Sequence, residues 1–464
     1  MQLTIRHEYR RQAIHVLIGM IVLIFPFLHI QYLVALSLML FLFILLLPRS
    51  SKLWRILTYS GASTRRPMGA LCLSGSMSIL LLIAWILTFT PYEFPIFLIG
   101  EAIAITTFGD GIATILRVTE QAKHGSLDDI SYSGRRVKPE SVRVSLTLLF
   151  VGTVFASLIG LWITYWTEPI PFQLIFFISV IGAVTGALLE CVSTKIHDNI
   201  TVPIGSAMAM WLFASFGYSV SYTYMLLAFA FALVLGYLAY RAGIADMSGL
   251  LSATLVGVLI IAFTDVWWFL LLLTFYLLGG GFTNYKYGYK QSLGIAQGKG
   301  GARGYKNVFS NSLVAIVASI GYTIFPHAAN IFLYIYLGSV ATATGDTLAS
   351  EIGTTYKGKP RMITTLKEVE PGVDGGVSSL GEIAAIFGSM VIALFALLVG
   401  VIEIDQYCLI GMLIIAISGF VGTNIDSLLG ATMQKRGILS NNGVNLAATI
   451  AGGVVAGVMR IVLA

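Results

Sequence analysis

Two short pairs, Gly109-Asp110 and Gly345-Asp346, carry the most chemistry in this sequence, because each sets a carboxylate beside a glycine where a long apolar run turns polar. Glycine lets another backbone or a ligand approach closely. An acid at the mouth of a membrane-length segment is costly to hold unless it is paired or functional. Hard oxygen ligands in such a place suit Mg²⁺, which keeps several waters and binds one or two carboxylates together with substrate phosphates. Two apolar segments after each pair stands another acid, Glu190 in the first half and Asp426 in the second, and Asp426 joins Asp110 and Asp346 as a candidate metal ligand. The competing reading of each is a helix-end acid that faces water or pairs with a neighbouring lysine.

Polar stretches follow both pairs, with Lys138-Pro139-Glu140-Ser141 in the first half and Lys367-Glu368-Val369-Glu370-Pro371-Gly372 in the second. Lys138 and Lys367 are candidates to neutralise phosphate oxygens, which phosphoryl transfer requires. Glu140 and Glu370 would bind metal, orient that lysine or act as base, and the sequence leaves the three roles open. Amide-rich runs come later in each half, at His197-Asp198-Asn199 and at Asn441-Asn442-Gly443-Val444-Asn445; Asp198, Asn199, Asn441, Asn442 and Asn445 are candidate ligands for nucleotide or metal. Two Gly-rich loops enter apolar segments: one carries Lys299 and Arg303, the other Gly375, Gly376 and Ser378. Backbone amides in such loops can cradle an anion, although flexible turns look the same. Neither is a P-loop, since no Gly-Lys-Ser/Thr falls at the required spacing.

The elements that must position these residues are membrane helices. Of 464 residues, 57% are hydrophobic and 11% charged, too apolar for a soluble domain to bury. Apolar stretches of the length needed to cross about 30 Å of hydrocarbon occur at 12–29, 31–47, 70–89, 93–116, 143–166, 170–190, 202–219, 221–240, 249–264, 266–282, 308–325, 330–350, 380–401, 406–430 and 444–463, fifteen in all. With loops alternating between two faces, all of the 28 Lys and Arg except Arg460 fall on the face that holds the N-terminus. Opposite loops such as Trp166-Thr167-Glu168-Pro169 and Glu403-Ile404-Asp405-Gln406 have none. The positive-inside rule then makes the N-terminus cytoplasmic and puts every candidate loop on the cytoplasmic side of the cell membrane. It also accounts for the net charge of +6 without nucleic acid. Cys72, Cys191 and Cys408 are too scattered for a metal site or a disulfide framework.

The order of acid pair, Lys/Glu cluster, second acid and amide run occurs twice, which points to duplication. Each half would contribute seven helices that start inside and end outside, so a same-orientation copy needs one returning helix. The expected architecture is an all-α polytopic membrane protein with two parallel repeats, 1–219 and 241–464, joined by a helix at 220–240.

At these residues the chain resembles two families. Its first half is similar to the dolichol kinase and phytol kinase group at Glu8-Tyr9-Arg10-Arg11-Gln12-Ala13-Ile14-His15, Gly109-Asp110-Gly111-Ile112-Ala113, Lys138-Pro139-Glu140-Ser141 and Asp198-Asn199-Ile200-Thr201-Val202-Pro203. It departs from that group at Arg117-Val118-Thr119-Glu120-Gln121-Ala122-Lys123, where a Gly-rich segment is usual. The second half resembles the membrane family that contains plant phytyl-phosphate kinase. Its matching runs are Gly345-Asp346-Thr347-Leu348-Ala349-Ser350-Glu351-Ile352-Gly353, Lys367 to Gly372, Gly375 to Ser378 and Asp426-Ser427-Leu428-Leu429-Gly430-Ala431.

The resemblance implies CTP-dependent, Mg²⁺-assisted phosphorylation of an isoprenoid alcohol and then of its monophosphate. Its partners would be a nucleoside triphosphate, the isoprenoid lipid and bilayer lipids, with room for a homo-oligomer. Two other functions remain open: cytidylyl transfer to a lipid phosphate, which needs the same metal and loops, and non-enzymatic transport, common among duplicated bundles.

Overall fold

The computed structural model describes residues 2–58, 67–123, 142–192, 196–292, 294 and 302–463. Its helices are α1 (Gln2–Gly19), α2 (Ile30–Leu46), α3 (Lys52–Leu57), α4 (Met68–Leu87), α5 (Ile96–Ala104), α6 (Gly111–Lys123), α7 (Val142–Trp166), α8 (Phe172–Cys191) and α9 (Asp198–Ala214). The chain continues through α10 (Tyr222–Arg241), α11 (Met247–Phe263), α12 (Val266–Asn284), α13 (Tyr287–Ser292), α14 (Tyr305–Ile324), α15 (Ala329–Gly353), α16 (Ser379–Leu398), α17 (Cys408–Leu429) and α18 (Asn441–Val462). Several begin where a side-chain oxygen accepts an otherwise unsatisfied N–H. Asp246 caps α11 through Gly249, Asp265 caps α12 through Trp267 and Trp268, Ser378 caps α16 through Gly381, and Ser440 caps α18 through Gly443.

Each apolar segment expected from the sequence coincides with a helix. Among the described residues twelve are long and apolar enough to cross a membrane. α2 and α11 are apolar but have 17 residues each, about 25 Å at 1.5 Å per residue. α9 is equally short and holds Asp198 and Pro203. Length and composition alone therefore give twelve spans, and the fifteen-span reading depends on these three.

The sequence places both Gly-Asp pairs within two turns of the ends of segments 93–116 and 330–350, and the structure carries both helices further, to Lys123 and to Gly353. α5 passes through a widened π-helical turn at Ile105–Asp110 directly into α6, and α15 runs on to Gly353. The physical reason is that hydropathy falls where the apolar run ends, whereas Ala113, Leu116, Leu348 and Ala349 keep the backbone helical.

The chain divides into two compact units, Met1–Met225 and Leu226–Ala464, with the boundary in the first turn of α10. In the second unit α15 is the hub, packed by α12, α14, α16, α17 and α18. Small residues let the backbones approach, as membrane helix packing requires. Thr342 on α15 donates to Ser418 O on α17 at 3.4 Å, and a side chain at Gly388 would come within 3.2 Å of Gly345 Cα. Tyr336, fully buried, donates its hydroxyl to Trp268 O on α12. In the first unit α7 packs against the π turn, and α8 against α9. Gly109 lies so close to α7 that a Cβ there would sit 3.1 Å from Gly152 Cα and 3.2 Å from Leu148 O.

Candidate active site

In the second unit the acids come together. Asp346 lies two turns before the end of α15, and Asp426 lies one turn before α17 widens at Gly430–Gln434. Asp346 and Asp374 are the charged neighbours of Asp426. The Asp426 Oδ2 atom is buried and has no hydrogen-bond partner among the described residues. A buried carboxylate oxygen without a donor is expensive, so this pair is suited to a cation. Among the described residues no three His, Cys, Asp or Glu side chains converge as a metal cage. Two carboxylates fit Mg²⁺, which takes the rest of its shell from water and phosphate, and fit a structural zinc site poorly.

The segment between α15 and α16 folds over the end of α17. A short hairpin pairs β1 (Arg361–Met362) with β2 (Gly376–Val377), in register Arg361 with Val377 and Met362 with Gly376. Gly375 has φ +79°, and any Cβ there would lie 2.8 Å from Ala431 Cα and N, so only glycine fits. Asp374 accepts from Gln434 Nε2 at 2.9 Å, which ties the loop to the π-helical turn. Lys367 and Glu370 are exposed on this loop, and neither forms an ion pair among the described residues. Ser378 is occupied by the fold: its hydroxyl caps α16 through Gly381 N at 3.1 Å and lies 3.4 Å from Gly353 O. Asn441 is exposed at the start of α18, with Asn442 and Asn445 half-buried behind it.

Arg303, expected as a loop cation, is buried. Its guanidinium lies 5.0 Å from the Phe275 ring centroid and 5.7 Å from that of Tyr276. Its backbone bridges to the residues just before α11, through Ile244 O and Asp246 N. Desolvation weakens its hold on its proton, opposed by the nearby Glu351 charge. Lys299 lies outside the described residues, as do Lys138 and Glu140.

Several polar residues of this unit escaped the sequence reading. Glu351 pairs with Lys290 in a buried ion pair that also engages Thr283. Asn424 Nδ2 donates to Glu382 Oε2 at 3.1 Å, linking α17 to α16 two residues before Asp426. Asn307 and the buried Asn311 lie one turn apart on α14. Glu351 was visible inside a motif run, but Lys290 looked like any basic residue of a cytoplasmic loop.

The first unit arranges the corresponding residues differently. Asp110 is buried at the end of the π turn and accepts from Thr114 Oγ1 at 3.2 Å. Glu190 forms a buried ion pair with Arg117, Nη2 to Oε1 2.6 Å. The segment that departs from the dolichol kinase pattern thus supplies the cation that neutralises this acid. Asn199 Nδ2 donates to Gly69 O at 2.7 Å, and its own carbonyl accepts from Ser76 at 3.0 Å. Asp198 opens α9, where His197 is the N-cap and accepts from Asn199 N.

Residues 230–453 match the family profile described as "Integral membrane protein DUF92". An uncharacterised membrane protein of Methanocaldococcus jannaschii is 35% identical over 215 residues, 45% of this chain and 83% of that protein. One from Synechocystis is 31% identical over 206 residues, 44% of this chain and 78% of its own. Protein VTE6, chloroplastic, of Arabidopsis thaliana is 28% identical over 222 residues, covering 46% of this chain and 64% of that protein. No solved structure matches.

Proposed function

We propose, from the premise that this chain belongs to the integral membrane protein DUF92 family, that its second unit transfers the γ-phosphoryl group of CTP to an isoprenyl monophosphate. A multi-pass membrane protein places such an acceptor naturally, with the tail among the helices and the phosphate at headgroup level. The observation that carries the reading is the Asp346–Asp426 pair, with a buried carboxylate oxygen left for a cation. The likeness of the runs around these acids to the phytyl-phosphate kinase family supports the choice of substrate.

Asp346 and Asp426 would hold Mg²⁺, which supplies charge neutralisation on the nucleotide phosphates. Lys367, exposed on the hairpin loop, would add positive charge for the phosphates. The backbone amides of the hairpin loop, opened by Gly372 at φ +84° and Gly375 at φ +79°, are available to phosphate oxygens. In the transfer, an acceptor phosphate oxygen bonds to the γ-phosphorus, the bond to the β,γ-bridging oxygen breaks, and CDP leaves. A phosphate monoester is largely ionised at neutral pH, its second pKa being about 6, so this step needs no general base. An exposed Glu370 is compatible with that. Phosphorylation of the free alcohol would require a base, and we assign that step to the first unit, at Asp110, Lys138 and Glu140.

The test is γ-labelled CTP and Mg²⁺ with detergent-purified protein, offering geranylgeranyl monophosphate or geranylgeraniol and separating the lipids. Labelled diphosphate from the monophosphate is expected, falling at least about 100-fold in Asp346→Asn as one charge of the carboxylate pair is lost. Undiminished transfer by that variant overturns the assignment. A CDP-lipid with released pyrophosphate would instead identify cytidylyl transfer, and label from the alcohol would show that the first unit acts.

A further inference from the structure

The buried cluster at the end of α12 has no part in the transfer above. Lys290 Nζ donates to Phe282 O at 3.0 Å and Thr283 O at 3.3 Å, carbonyls of the last turn of α12, and also to Glu351 Oε2. Thr283 Oγ1 lies 3.0 Å from Glu351 Oε1 and 2.7 Å from Gly279 O, with one proton to share. Lys290, Thr283 and Glu351 are 3%, 4% and 5% exposed. Burying such a pair contributes little net stability, because desolvation offsets the attraction. Its geometry is the more informative property.

Glu351 follows Asp346 by five residues on the continuous helix α15, a rotation of about 140° at 3.6 residues per turn. One face of α15 is therefore fastened to α12 while the nearly opposite side carries Asp346, on a helix that packs against α17 and with a charge that reaches Asp426 there. Two carboxylates facing each other repel. A slight rotation of α15 would relieve that repulsion at the expense of cation binding. From this arrangement we infer that Lys290, Thr283 and Glu351 form a clamp that holds α15 in the rotation at which Asp346 and Asp426 face one another, so that the acid pair is organised before the divalent cation arrives. Glu351 and Lys290 are positioning residues: they touch neither cation nor substrate, and they act through α15. The inference rests on the reading of Asp346 and Asp426 as cation ligands.

The decisive variant is Lys290→Met with Glu351→Gln, which removes both charges of the ion pair together and leaves Arg303 stacked on Phe275 and Tyr276. The readout is the Mg²⁺ concentration that gives half of the Mg²⁺-induced rise in unfolding temperature of the purified full chain, with the Mg²⁺ dependence of phosphoryl transfer beside it. The clamp predicts that the double variant unfolds near the wild-type temperature without Mg²⁺ but needs roughly tenfold more Mg²⁺ in both assays, and that saturating Mg²⁺ restores most of the transfer. A double variant with the wild-type Mg²⁺ midpoint overturns the clamp while leaving the acid-pair site intact. A wild-type protein with no Mg²⁺-induced shift, or one that survives Asp426→Asn unchanged, overturns the acid-pair site and the clamp's purpose with it.

Discussion

Replacing Gly345 by alanine adds a single methyl group next to Asp346, where three helices approach one another closely. The new Cβ would stand 3.0 Å from Ala385 O and from the hydroxyl oxygens of Ser389 and Thr423. Both hydroxyls are already engaged, Ser389 with Ala385 O at 2.9 Å and Thr423 with Gly419 O at 3.0 Å, and Ala385 O belongs to the backbone of α16. Carbon–carbon and carbon–oxygen contacts are comfortable nearer 3.5 Å, so α15 and α16 must separate by a few tenths of an ångström. Overpacking of this kind costs about 1–3 kcal/mol, and alanine returns about 1 kcal/mol in helix propensity. The expected net loss is about 1 kcal/mol. Gly281 on α12 provides the comparison, since nothing lies within 4 Å of its Cβ position; alanine there keeps only the propensity gain. Unfolding of the detergent-purified variants by heat or denaturant, run with the Mg²⁺ titration, measures both. The Gly345 variant should be less stable than the Gly281 variant by about 2 kcal/mol on the same propensity and overpacking figures, with a weakened Mg²⁺ response. Equal stability and an unchanged response would refute the close packing on which the geometry of Asp346 depends.

Three further outcomes are expected. Arg117→Met takes from the buried Glu190 charge its Arg117 counter-ion and should destabilise the first unit by about 3–5 kcal/mol, with Arg117→Met/Glu190→Gln recovering most of it; a full loss in the double variant would count against a simple charge pairing. Asn199→Ala forfeits the 2.7 Å bond to Gly69 O and should cost about 1–3 kcal/mol while transfer to the monophosphate continues; intact stability with lost transfer would make Asn199 a ligand. Single cysteines placed at Lys357 and Glu403, with the native three replaced, should be labelled by an impermeant maleimide from the cytoplasmic and the opposite face respectively; the reverse pattern would invert the topology.

The amino-acid sequence by itself determined the membrane class and nearly every helix, because an apolar run of the right length has no other stable solution in a bilayer. It also singled out Asp346 and Asp426, since carboxylates are conspicuous against such a background. Glycine at 375 was legible as part of a turn, but the reason that only glycine fits, its contact with Ala431, was not. Tertiary structure alone decided which polar groups meet. Lys290 and Glu351 are 61 residues apart in sequence, and nothing local in either marks a buried pair. Arg117 became the partner of Glu190, and Arg303 went into the packing of α12, because each arrangement depends on which helices are neighbours. The helices beyond both Gly-Asp pairs run past the apolar segments, to Lys123 and Gly353, for a related reason: hydropathy records where the apolar environment ends, while backbone hydrogen bonding continues for as long as the residues favour a helix.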